Sequence, residues 1–470
     1  MRRSASTTRG PTSAWGSTSE VALKLAPLGL IAAALVAIAI WPAFASHAVV
    51  GDPTAASTPA PLRDDATIRA KTIAFEERRE KQDSEDQITP RLLAEQYLQR
   101  YRERGDAGDI VRAQAAAQRS LRAQPDNVPA LQALASAQLA LHRFRDALAT
   151  VRRARATAPN DPGLAMSEAA FELELGDYRA AEALLARQRA GARAAGSTAA
   201  GTSGAGGDPT EAIAARLAEL TGDLPRARDL LGRASRRLDA IYGAPNERRA
   251  WFHARLGELA FAAGDTSAAL GEEKTALERF PDDLIALTDA ARFSAAGGAW
   301  NDVRGYAEHA VRLTPSPENL GLLADAQEHL GDANAAAATR DEIVAVERIG
   351  NAQHLVDRLL AVYYADHGVR LADAYVIARR DLAVRDDVFA EDTLAWTAAR
   401  AGKWDVARAA ARKATAYDTA EPRLWYHAGV IAEHDGDTAR AKMCYQHALA
   451  LNPNFQAGFA DDARARLAHL

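Results

Sequence analysis

The chain contains a single cysteine, Cys444. An internal disulfide and any cysteine-based metal cluster are therefore excluded. Aromatic residues make up only 6% against 48% hydrophobic residues, so alanine and leucine supply most of the apolar surface. Closely packed helices use such residues well, whereas a β-sandwich relies on β-branched and aromatic ones. Positive charge is not in excess. The formal net charge is −5, and residues 1–45 carry a net +3, leaving −8 on the rest. This balance lacks the electrostatic footprint of a nucleic-acid binder. Catalytic signatures are missing as well: no Walker-type phosphate loop, no Gly-x-Ser-x-Gly elbow and no His-Glu-x-x-His. No cofactor is expected.

Charge is also absent from residues 25–50. The most apolar part runs from Leu28 to Trp41, after Arg2, Arg3, Arg9 and Lys24. Pro42 and the small-x-small triplet Ala43-Phe44-Ala45 follow, as in a leader cut after Ala45. Basic residues before the apolar run and acids after it (Asp52, Asp64, Asp65) orient the chain with its C-terminal part outside the cytoplasm. Two readings of residues 1–45 stand: a cleaved signal peptide, or an uncleaved single-pass anchor spanning a bilayer core of about 30 Å. Residues 46–66, rich in Pro, Ala, Ser and Thr, form a flexible tether, and 67–93 a charged N-terminal helix and cap.

From Ala94 onward a cadence of about 34 residues returns to the C-terminus. Its clearest copies keep the same offsets. One has Leu256-Gly257, Gly264-Asp265, Ala269, Ala276 and Pro281; the other has Ala428-Gly429, Gly436-Asp437, Ala441, Ala448 and Pro453. A glycine such as Gly264 ends a first helix in a left-handed conformation. Asp265 or Thr266 can then accept hydrogen bonds from the free N–H groups of a second helix. The alanines let helices approach closely, and the proline ends the unit. Such hairpins bury their apolar faces only against neighbours, so the array is expected to unfold from its ends or weak links. Two weak links are visible: residues 190–207, almost wholly Ala, Gly, Ser and Thr, and a degenerate eighth copy around 352–386.

This pattern resembles the tetratricopeptide repeat family, in about ten copies covering three quarters of the chain. The resemblance implies an all-α fold, an α-solenoid of stacked antiparallel helix pairs wound into a superhelix. Residues 94–189 form its first part, 208–454 its second, and 455–470 a capping helix. In the cap, Phe455, Phe459 and Leu467 turn inward. The family binds protein partners in its concave groove. Its inward-facing positions fall on Glu258, Phe261, Arg292, Trp396, Arg400, Tyr426 and Glu433. One family variant grips a C-terminal carboxylate with Lys and Asn four apart. The matching pairs here, Leu98/Arg102, Gln132/Ser136, Ala254/Glu258 and Thr288/Arg292, do not fit it.

No metal site is expected. His427 and His434 share a helix face near His447, and read as core or surface histidines. Glu272-Glu273 and Asp461-Asp462 read as solvated acids, since adjacent residues do not face each other on a helix. No gap between copies is long enough for an enzyme domain. The expected function is a non-enzymatic extracytoplasmic scaffold binding a protein or peptide, with membrane contact only through an uncleaved N-terminus. A tethered assembly factor or the regulatory subunit of a cell-envelope enzyme complex are the alternatives. A broad-specificity protease is expected to cut the folded protein first within Ala190 to Gly207, with fragments mapped by mass spectrometry. Early cleavage inside Ala250 to Pro281 with that stretch intact contradicts it.

Overall fold

The computed structural model describes residues 64–83, 86–194, 209–241, 243–352 and 358–470. The expected leader at 1–45, residues 46–63 of the tether and residues 195–207 of the low-complexity stretch lie outside the described residues. Among the described residues there are 22 helices and no strand. A first helix, α1 (Asp65–Glu80), precedes ten hairpins. They are α2 (Ile88–Arg104) with α3 (Ala107–Ala123), α4 (Val128–Ala140) with α5 (Phe144–Thr157), and α6 (Pro162–Leu175) with α7 (Tyr178–Ala194). Next come α8 (Pro209–Leu220) with α9 (Leu224–Asp239), α10 (Asn246–Ala262) with α11 (Thr266–Arg279), and α12 (Leu284–Ala296) with α13 (Trp300–Leu313). The last are α14 (Pro317–His329) with α15 (Ala333–Ala352), α16 (Arg358–His367) with α17 (Leu371–Val384), α18 (Val388–Arg400) with α19 (Trp404–Ala414), and α20 (Pro422–His434) with α21 (Thr438–Leu451). The cap is α22 (Phe459–His469). Helix α7 continues through Ala194, beyond the expected loop start at Ala190.

One turn chemistry recurs in several copies. Gly176, Gly222, Gly264, Gly331 and Gly436 all have φ between 75° and 86°. The aspartate after each caps the next helix; Asp265 accepts from Ala268 N–H at 2.9 Å and Asp437 from Arg440 N–H at 3.0 Å. Ala269, Ala276, Ala441 and Ala448 are fully buried between helices. Gly257 and Gly429 leave room for the side chain sixteen residues on. A Cβ at Gly257 would overlap the Glu273 carboxylate, and one at Gly429 would stand 2.6 Å from the Tyr445 ring. The degenerate eighth copy does not interrupt the core: Leu320, Ile343, Leu360, Tyr364 and Ile377 form one buried cluster across α14 to α17.

Neighbour contacts are only part of the packing. The superhelix winds tightly enough that the hairpin turns of the third, fourth and fifth copies rest on the loops after the eighth, ninth and tenth. Asp386 N–H donates to the Leu175 carbonyl at 3.3 Å, and Val388 N–H to the Tyr178 hydroxyl at 3.1 Å. Thr419 Oγ1 donates to the Leu220 carbonyl at 2.8 Å. Asn452 Nδ2 donates to the Phe261 carbonyl at 2.6 Å. Val388, Ala420 and Leu424 accordingly share a buried cluster with Leu173, Leu220 and Leu259. At the N-terminal end Gln99 donates to Glu247 at 3.0 Å and Asn246 N–H to Asp65 at 2.9 Å, joining α2 and α1 to α10. An array held by neighbours alone is the expectation; here contacts 191 to 211 residues apart bind one turn of the coil to the next.

Two glycines separate these terms. A Cβ at Gly176 would overlap the Asp386 carbonyl oxygen, whereas one at Gly436 meets nothing within 4 Å. Both have positive φ. Gly436→Ala is expected to destabilise by about 1 kcal/mol, from backbone strain alone. Gly176→Ala must in addition push the two turns apart, and is expected to lose at least about 2 kcal/mol more by overpacking. Urea unfolding of the two variants side by side checks the difference.

Candidate functional site

Where the first helices turn inward, the coil lines a half-open cavity of ≈ 400 Å³, with walls drawn from α6, α8, α10, α12, α14, α16, α18 and α20. Nine carboxylates and six arginines line it. Most are paired. Arg216 and Arg255 both hold Glu219 at 2.7 Å, and Arg255 also pairs with Glu258. Burial opposes ionisation of Glu219, but Arg216 and Arg255 outweigh it and hold the carboxyl below its usual range. Arg292 reaches Asp289 at 2.8 Å and Glu318 at 3.8 Å. Arg385, 3% exposed, sits between Asp381 at 3.2 Å and Asp387 at 3.4 Å. The Phe389 ring is flanked by the guanidinium carbons of Arg216 at 5.3 Å and Arg358 at 5.8 Å. This ring enters the cavity because α18 starts at a turn-to-turn contact.

Three of the seven inward-facing positions line the cavity: Glu258, Phe261 and Arg292. Phe261 does so as a packing residue, stacked on Phe293 with ring centroids 4.2 Å apart. The other four do not line it. Trp396 is buried, donates through Nε1 to Asp366 at 2.7 Å and stacks on His427. Arg400 is exposed beside it, 5.5 Å from its ring. Tyr426 is buried under α22, donating to Asp462 at 2.7 Å with its ring on Phe459. Glu433 accepts from Tyr445 at 2.7 Å and from Arg466 at 3.0 Å. The cap covers the ninth and tenth copies here, so Trp396, Tyr426 and Glu433 pack against it. Of the three histidines, His427 contacts Asp392 at 3.0 Å, His434 stacks on Trp404, and His447 lies edge-on to Trp425.

Arg216, Arg358, Arg423 and Glu174 escaped the sequence reading. Arg216 was within reach. It stands seven residues before Asp223, as Glu258 stands seven before Asp265, so the same offset applied one copy earlier finds it. Arg358 and Arg423 open their helices, where the repeat signature has no fixed position.

Behind the wall lies a group of acids. Glu273 is 1% exposed, and neither of its carboxylate oxygens has a hydrogen-bond partner. It is buried, not solvated as its adjacent pair suggested. Burial, with Asp289 and Asp283 adding, raises its carboxyl well above the usual range. Asp289 and Glu247 are also raised by burial. Burial likewise raises Asp283 from 3.8 to about 7, against the Ala286 N–H that it caps at 2.9 Å. The folded state therefore takes up a proton at Asp283 that the unfolded chain releases near pH 4. Stability from this group is fully present below that pH and is lost as pH rises through about 7. Asp283→Asn keeps the cap and removes the charge. It is expected to stabilise the protein at pH 8 by about 1–3 kcal/mol and to change little near pH 4. Thermal melts across that range check the sign.

The model of the tetratricopeptide repeat family matches residues 106–170, which run from the first hairpin turn into the first helix of the third copy. No curated protein matches the chain. Among solved structures, the human IFIT1 dimer with PPP-AAAA is 16% identical, covers 69% of this chain and 72% of its own, and has a TM-score of 0.39. A tetratricopeptide repeat protein from Parabacteroides merdae is 18% identical, covers 55% of this chain and 96% of its own, with a TM-score of 0.31. The family model falls on the first units of an array of ten hairpins, six of which share the Gly-Asp turn and its capping aspartate, and this supports an array of tetratricopeptide-type repeats.

Proposed function

We propose that this protein is a non-enzymatic scaffold that receives a segment of a protein or peptide partner at the interior of its superhelix, outside the cytoplasm. The observation that carries the reading is the half-open inner cavity of ≈ 400 Å³, walled by successive first helices. That volume lies in the range of about 300–1,000 Å³ found for small-ligand sites, enough for a few side chains. The wall mixes paired charges with Phe261, Phe389, Trp300 and Tyr363, the composition of a recognition surface. Carboxylates outnumber arginines there, which disfavours a nucleic-acid phosphate chain.

Export rests on the basic, apolar and small-x-small order of residues 1–45. The uncharged stretch at 25–50 is long enough to favour a second reading, a membrane-tethered assembly factor or regulatory subunit. Among the described residues no helix is long and apolar enough to cross a membrane. N-terminal sequencing of the native protein distinguishes cleavage after Ala45 from retention.

A photo-crosslinking residue tests the site. Ala457 is exposed and lies on the cavity wall, whereas Met443 is 45% exposed on α21 and does not line the cavity. Crosslinks to a partner protein are expected from position 457 and not from 443. Crosslinks from 443 alone overturn the interior reading.

A further inference from the structure

Four of the six arginines in the cavity wall make a carboxylate hydrogen bond or close ion pair: Arg216, Arg255, Arg292 and Arg385. Two do not. Arg358 approaches only Asp387, at 3.7 Å, and its buried Nη1 has no hydrogen-bond partner. Arg423 forms no ion pair among the described residues, and its buried Nε is also without a partner. Taking a guanidinium out of water without hydrogen bonds is costly, and nearby carboxylates relieve the cost only at good geometry. Both arginines act on one carboxylate, Glu318, whose proton affinity burial raises while Arg292, Arg423 and Arg358 oppose it. Glu318 is drawn toward Arg292, at 3.8 Å, and gives neither of the other two a hydrogen bond. The Phe389 ring, 5.8 Å from Arg358, supports that guanidinium within the wall.

We propose that Arg358 and Arg423 form an oxyanion site inside the superhelix, taking a carboxylate or phosphate group between two guanidinium forks. The planar fork suits either group, since each can accept paired N–H bonds. The site deepens the scaffold reading and rests on it for the location: the partner brings an anionic group to the end of the cavity where α16 and α20 begin. Burial, with Arg385 adding and Asp387 opposing, lowers the proton affinity of Arg358, so an incoming anion supplies the compensation that the wall lacks. Among the wall carboxylates, Glu219, Asp289 and Asp387 are already held more closely by other arginines.

Titration calorimetry of the full chain at low salt tests this with three probes: inorganic phosphate, succinate, and a short peptide carrying Asp and Glu beside its Asn and Gln counterpart. At least one anionic probe is expected to bind, and the amide peptide to bind at least tenfold more weakly than the acidic one if the peptide is the ligand. Arg358→Gln and Arg423→Gln are each expected to weaken binding at least tenfold, and together to abolish it. Arg304→Gln, at an exposed position on α13, is expected to change nothing. If a Gln variant loses helicity by circular dichroism, Arg423→Lys replaces it, keeping the charge but not the fork; a weakening of threefold or more is then expected. Phosphate or succinate without peptide identifies a free anion, and the acidic peptide identifies a partner side chain; both uphold the site. Silence from all three probes, or unchanged binding by the arginine variants, overturns it. Crosslinking of a partner from position 457 that survives both arginine substitutions overturns the oxyanion site alone and leaves the scaffold reading standing.

Discussion

The contact between one turn of the coil and the next governs the rest of the structure. Its acceptors are backbone carbonyls at the ends of first helices, on Leu175, Leu220 and Phe261. A helix end leaves such carbonyls without intrahelical partners, and the left-handed glycine that follows lets another segment come close. The donors are Asp386 N–H, Thr419 Oγ1 and Asn452 Nδ2, each from a loop that follows a second helix. The Leu175 and Leu220 carbonyls, which an open solenoid would leave to water, are thus satisfied by the same chain five units later, and the Phe261 carbonyl gains a second donor. Repeat arrays approximate a one-dimensional chain of nearest neighbours. This one does not, because removing the third copy also removes the support under the loop after the eighth.

Closure changes what the inner face must solve. In an open groove, inward-facing arginines and glutamates sit in water. Once the coil closes they are partly desolvated, and each needs a partner. The answer is a set of shared pairs, with Glu219 between Arg216 and Arg255, Arg292 between Asp289 and Glu318, and Asp387 near Arg385 and Arg358. Such pairs add little net stability, since Coulomb attraction is offset by desolvation, but they fix which side chain faces which. The acids behind them, Glu273 and Asp283, have no such partner, and burial raises both toward the neutral form.

The repeat was legible because its signature residues serve contacts within a unit or with the next one. Gly264, Asp265, Ala269 and Ala276 lie within a dozen residues, and their spacing alone reports the turn, the cap and the close helix approach. Turn-to-turn contacts leave no such trace. Asp386, Thr419 and Asn452 are ordinary polar loop residues, and nothing in their neighbourhood points to partners two hundred residues away. The same gap explains the inner face. Offsets within a copy lead to Glu258 and Arg292 on the cavity wall, and extend to Arg216. They mislead at Trp396, Tyr426 and Glu433, because α22 covers the groove there. They say nothing of Arg358 and Arg423, which reach the cavity only through the path of the coil.

Binding and folding are therefore linked at the interior. The cavity exists only while the third to fifth copies touch the loops after the eighth to tenth. Any ligand that requires the inner wall has differential affinity for the closed coil, and by mass action stabilises the contacts that close it. A group held between α16 and α20 would join the start of the eighth copy to the start of the tenth, on the inner side of the loops whose Asp386 and Thr419 meet Leu175 and Leu220. Recognition and closure then draw on the same geometry. Loosening one turn-to-turn contact weakens the site even where no wall residue is altered, since the wall is an arrangement of helices that neighbour packing alone does not bring together.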